Sequence, residues 1–132
     1  MNELTIAELK DEIRRGARCI LQVRHAERPK MDPNDPSFGD GLHLTREGVR
    51  TARILGERLA EFKDEVAFCS SPLTRTRETA AGIAVGMGLS DAAIPTAGCL
   101  GNDSFFYEDP LEVLKTFNTM EFFKACFAYF EK

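Results

Sequence analysis

The chain has 132 residues, 43% of them hydrophobic and 29% charged, which is the balance of a soluble single domain able to bury its own core. A net charge of -4 argues against a nucleic-acid binder, and no run approaches the roughly 18 apolar residues that span a membrane. The first residues lack the basic-then-apolar pattern of an export signal, and Cys19, Cys69, Cys99 and Cys126 make no CxxC pair, so a reduced cytoplasmic chain with cysteines in its core is expected.

Thr5 and Glu8 form a capping box, Leu4 and Leu9 a hydrophobic staple, and Ile6, Leu9 and Ile13 keep helical spacing up to the stop at Gly16. Cys19 to Val23 is a short apolar run that reads as a strand buried on both faces, and it ends in charge at Arg24-His25-Ala26-Glu27-Arg28. Residues 29–43 hold three prolines, two glycines and three aspartates, Asp32, Asp35 and Asp40, the composition of a long loop. Thr45 caps a second helix, with Ala52, Leu55, Leu59 and Phe62 on one face. Val66 to Cys69 is a second short strand. Ser71 and Pro72 carry the start signals of a third helix, whose inward face is Leu73, Thr76, Ala80, Ile83 and Met87 and whose end is Gly88. A weaker strand covers Ile94 to Cys99, Asp109-Pro110 opens a further helix, and Thr119 opens the last; seven of the ten phenylalanines fall in the final 28 residues. Strands alternating with helices imply a three-layer α/β/α domain with a mostly parallel sheet.

In such sheets, sites form outside the carboxyl ends of the strands. Arg24 and His25 sit at that end of the first strand, Ser70 and Ser71 at that end of the second, and Arg75 one turn into the helix behind it. Two arginines, a histidine and a helix N-terminus converging on one point suit a phosphate. A lone Arg-His pair at a strand end is ordinarily surface, and Arg46, Arg50, Arg53 and Arg58 read as a solvated helix face. The combination, in order and in context, is what carries the chemistry. The nearby arginines hold His25 neutral, and so nucleophilic. Arg28 either grips a second anionic group of the substrate or pairs with Glu27 at the surface. The residue set offers no metal site and calls for no cofactor.

The stretches VRHAERP (Val23 to Pro29), LTREG (Leu44 to Gly48) and SSPLTRTRETA (Ser70 to Ala80) together resemble the histidine phosphatase, or phosphoglycerate mutase-like, superfamily. Within it, RHAER followed later by GND is most similar to the lipopolysaccharide core heptose phosphatase branch. The resemblance implies that His25 is the phosphorylated nucleophile and that Arg24 and Arg75 are phosphate ligands. Leu100 to Asp103 falls where the family places its proton donor, so Asp103 is the first candidate and Glu108 the second; Ser71, Arg28 and Glu108 are the candidate substrate contacts. The family also places a second histidine late in the chain, on a strand beside the first. This sequence holds only His25 and His43, and His43, in the loop before the LTREG helix cap, reads as a loop or rim residue. Residues 1–132 therefore read as one domain incomplete at its C-terminal end. The expected activity is hydrolysis of a small phosphorylated substrate, weakened by the missing histidine, with a catalytically impaired phosphate-binding or interaction module as the alternative. A first strand left at a sheet edge would favour self-association.

Overall fold

The computed structural model describes residues 5–32, 35, 37, 39–89 and 94–100. The expectations at Asp103 and Glu108, the two C-terminal helices and the phenylalanine cluster lie outside the described residues.

Helix α1 spans Ile6–Arg14 and begins as its sequence requires. The Glu8 amide donates to Thr5 Oγ1 at 3.3 Å, and the Thr5 amide donates back to the Glu8 carboxylate at 2.7 Å. Gly16, at φ 92°, lies in the left-handed region that lets the chain leave the helix. Helix α2 spans Arg46–Leu59, and Thr45 Oγ1 accepts its Gly48 amide at 3.0 Å. A 3-10 turn, Ala60–Phe62, follows, and its Glu61 accepts from Lys10 at 2.5 Å and from Arg14 at 2.8 Å, fastening α1 to the end of α2. Helix α3 spans Thr74–Gly86. It starts later than its sequence signals imply: Leu73, not Ser71, is the N-cap, and no side chain caps it. The Ser71 hydroxyl instead lies 2.6 Å from Thr76 Oγ1.

The core lies between α2 and α3, where Ala52, Leu59, Ile83 and Met87 are buried together, with Ile6, Leu55, Phe68 and Leu89 packed on them. The buried face of α3 also takes in Thr79, Gly82 and Ala84, while Leu73, Thr76 and Ala80 are only half-buried. Small residues set the approach of the two helices. A Cβ on Gly56 would stand 2.0 Å from the Ile83 carbonyl oxygen, and one on Gly86 would stand 2.1 Å from that of Arg53. No side chain fits at either place.

The sheet is the main departure from expectation. Among the described residues there is no named strand. The one β feature is a parallel bridge between Ser70 and Thr96, in which the Ser70 amide donates to Pro95 O at 3.0 Å and the Ala97 amide donates to Ser70 O at 2.9 Å. The last of the expected strands, 94–99, thus keeps only this bridge before a second 3-10 turn, Gly98–Leu100. Cys19 to Val23 and Val66 to Cys69 make no ladder hydrogen bonds among the described residues, and such bonds are what make a strand. Ile20 is accordingly 99% exposed, and Leu21, Val23 and Val66 are exposed too. For the same reason Cys19 and Cys69, expected in the core, are exposed free thiols. No described helix is long and apolar enough to cross a membrane.

Candidate functional site

The segment after Val23 is clamped from both helices. On the α2 side, the Thr45 amide donates to Glu27 O at 3.0 Å, and the Thr45 hydroxyl donates to the Glu27 carboxylate at 2.6 Å. Gly48 faces the same carbonyl, and a Cβ there would come within 2.2 Å of it. Thr45 and Gly48 thus form a seat for the Arg24–Arg28 segment, which is a physical reason for both residue types in LTREG. On the α3 side, the Ala26 amide donates to Thr79 Oγ1 at 2.9 Å. Glu78 closes the frame between the helices: its carboxylate accepts the Leu44 amide at 2.7 Å and pairs with His43 Nδ1. Burial raises the Glu78 pKa, but these two partners outweigh it and hold the carboxyl below its usual range. His43 is thus tied to α3 through Glu78.

His25 emerges half-buried from this frame. Its Nδ1 lies 2.8 Å from the Ala26 carbonyl oxygen. A carbonyl oxygen only accepts, so Nδ1 carries the proton, and the neutral ring presents its lone pair on Nε2. Burial pushes the imidazole pKa down; the Ala26 bond opposes this, and the positive fields of Arg75, Arg24 and Arg28 add to the downward shift. Three guanidinium groups from two parts of the chain thus act on one ring.

Arg75 stands in the first turn of α3, at the positive end of the helix dipole. Burial lowers its pKa; Arg28 and Arg24 lower it further, and only Asp40 opposes them. Its Nη1 donates to Gly39 O at 2.8 Å, which fastens the 35–42 loop to the site. That loop is itself pinned by Asp35, whose carboxylate accepts the Ser37 amide at 2.9 Å and the Gly39 amide at 3.0 Å. Asp35 is thus a turn-forming residue. Arg28 turns its Nη1 to Pro29 O at 2.7 Å, and no ion pair joins it to Glu27 among the described residues. The Nε atoms of Arg28 and Arg75 are buried with no hydrogen-bond partner among the described residues. The charges of both arginines act on the His25 ring.

Of the residues expected from sequence, the structure brings together Arg24, His25, Arg28 and Arg75. Ser71 is buried, and its hydroxyl is hydrogen-bonded to Thr76. Arg77 is exposed, on a different side of α3 from Arg75. Two hollows, one of about 180 Å³ lined by Ile6, Thr51 and Leu55 and one of about 410 Å³ lined by Arg77, Glu78 and Ile94, both exclude His25. The site is defined by charge and hydrogen bonding, not by either hollow. The described residues hold no cluster of metal-ligating side chains.

Residues 20–95 match a family model described as the histidine phosphatase superfamily, branch 1. No curated protein and no solved structure matches the chain.

Proposed function

The chain belongs to the histidine phosphatase superfamily, and from that premise we propose that it hydrolyses a phosphomonoester through a phosphohistidine formed on His25. The superfamily is largely one of phosphatases and mutases on an α/β fold of the phosphoglycerate mutase type. The observation that carries the finer reading is the His25–Ala26 hydrogen bond within the arginine cluster.

The steps follow from the groups in place. Arg24 and Arg75, with Arg28 beside them, bind the phosphoryl oxygens and neutralise their charge. Nε2 of His25 attacks phosphorus in line, the P–N bond forms, and the bond to the ester oxygen breaks. Charge accumulating on the phosphoryl oxygens in the transition state meets the fixed guanidinium groups. The leaving oxygen takes a proton from a carboxylic acid, for which Asp103 is the candidate and Glu108 the second choice. Water then attacks the phosphohistidine and gives its proton to the carboxylate, the P–N bond breaks, and inorganic phosphate leaves with neutral His25 and the carboxylic acid restored. Proton donation of this kind contributes about 10²–10⁴-fold.

The α/β sheet expected from sequence belongs to the same proposal, with the Ser70–Thr96 bridge as its supporting trace. So does self-association, which the exposed apolar run Ile20 to Val23 supports. Turnover of p-nitrophenyl phosphate tests the enzymatic reading. Hydrolysis by the parent chain that is lost in His25→Ala is the expected result. Phosphate binding without turnover would instead favour the non-catalytic phosphate-binding module.

A further inference from the structure

One hydroxyl lies at the end of a short relay that leads to the His25 ring. Thr79 is only 5% exposed and sits in the interior of α3. Its Oγ1 donates to the Arg75 carbonyl one turn back, at 2.7 Å. Threonine in a helix commonly bonds back in this way, and that bond alone would satisfy it. Here the same oxygen also accepts the Ala26 amide at 2.9 Å, across 53 positions of sequence. Because its proton is committed to Arg75 O, the oxygen turns its lone pairs toward Ala26. The Ala26 amide belongs to the peptide plane directly after His25. Two planes further on, Glu27 O is held by the Thr45 amide. The plane between them carries Ala26 O, the acceptor for His25 Nδ1. Pinned on both sides, that acceptor has little freedom to turn away.

We propose that Thr79 is a positioning residue for His25: acting through Ala26, its hydroxyl selects the Nδ1–H tautomer and aims Nε2 away from the backbone. The effect on rate rests on His25 being the nucleophile; the effect on the tautomer does not. Thr79 also joins the two halves of the site, since its other partner is the carbonyl of Arg75. A shift in α3 that moved the arginine would move the histidine with it.

The test pairs Thr79→Val, which removes the hydroxyl at nearly constant volume, with Thr79→Ser, which keeps it. Imidazole ¹⁵N NMR above neutral pH, with the His25 signals assigned by their loss in His25→Gln, reads the tautomer directly. The parent and Thr79→Ser should carry the proton on Nδ1, and Thr79→Val should show a rise of the Nε2–H form. With p-nitrophenyl phosphate, kcat of Thr79→Val should fall by about 10²-fold with KM little changed, because orientation is lost while the arginines remain. A folded Thr79→Val with parental tautomer and parental kcat overturns the proposal. A shifted tautomer with unchanged kcat upholds the role of Thr79 and overturns His25 as nucleophile. Should Thr79→Val fail to fold, hydrogen exchange of the parent decides: an Ala26 amide exchanging as fast as that of exposed Arg24 overturns the proposal, and a protected one upholds it.

Discussion

At the scale of single residues, the surroundings of His25 disfavour its protonation. Burial leads, and three arginines add to it, so the ring stays neutral to a pH below the ordinary histidine value of about 6.5. The acid limb of kcat/KM, which reports the free enzyme, should therefore lie below pH 6.5. The same shift has a sign for stability. The unfolded chain takes up a proton near pH 6.5 that folded His25 refuses, so stability should fall as pH drops from about 6.5 to the folded pKa and be flat above. Urea melts of the parent and His25→Gln at several pH values check this, with the variant losing that part of the slope. Arg75 and Arg77 give a second contrast. Arg75 is half-buried and acts on His25, whereas Arg77 is exposed. Arg75→Ala should weaken vanadate binding by about 2–4 kcal/mol and Arg77→Ala by far less. Equal losses in a titration would remove Arg75 from the phosphate site.

Among the elements, α2 and α3 act as a frame whose tolerances are set by glycine. Gly56 and Gly86 lie against backbone carbonyls of the facing helix, so no flexible side chain can give way. Gly56→Ala and Gly86→Ala should each cost about 1–3 kcal/mol in urea unfolding, while Gly41→Ala, with nothing within 4 Å, should be neutral. Gly48→Ala should act on function as well as stability, because its obstacle is the Glu27 carbonyl that seats the histidine segment. Parental kcat in a folded Gly48→Ala would show that the seat does not matter. The capped helix starts at Thr5 and Thr45 and the stops at Gly16 and Gly88 were legible in sequence, since each depends on neighbours a few residues away. The role of Thr79 was not. It stands within a recognisable stretch, yet nothing local says that its hydroxyl reaches Ala26. Ser71 misled in the boundary alone: its cap signal is genuine, but α3 begins two residues later, with Leu73 as its N-cap.

For the whole molecule, the sheet is the part that sequence anticipated and the described residues do not form. Hydrophobic runs at Cys19 to Val23 and Val66 to Cys69 carry the pattern of buried strands, but pairing is a property of neighbours, not of a run alone. Among the described residues, only Ser70 and Thr96 show the parallel partnership that the α/β reading requires. The exposed run at Ile20 has the character of an open edge, so light scattering at micromolar concentration should report a species larger than a monomer. A stable monomer would mean that this surface is covered. The central claim concerns one atom, Nε2 of His25. Mixing the chain with p-nitrophenyl phosphate, quenching in alkali to preserve the acid-labile P–N bond, and mapping the adduct by mass spectrometry and ³¹P NMR tests it directly. The account predicts a single phosphate on His25, attached at Nε2 and absent from His25→Ala; phosphate on Nδ1 or on another residue, or turnover without any adduct at His25, would contradict it.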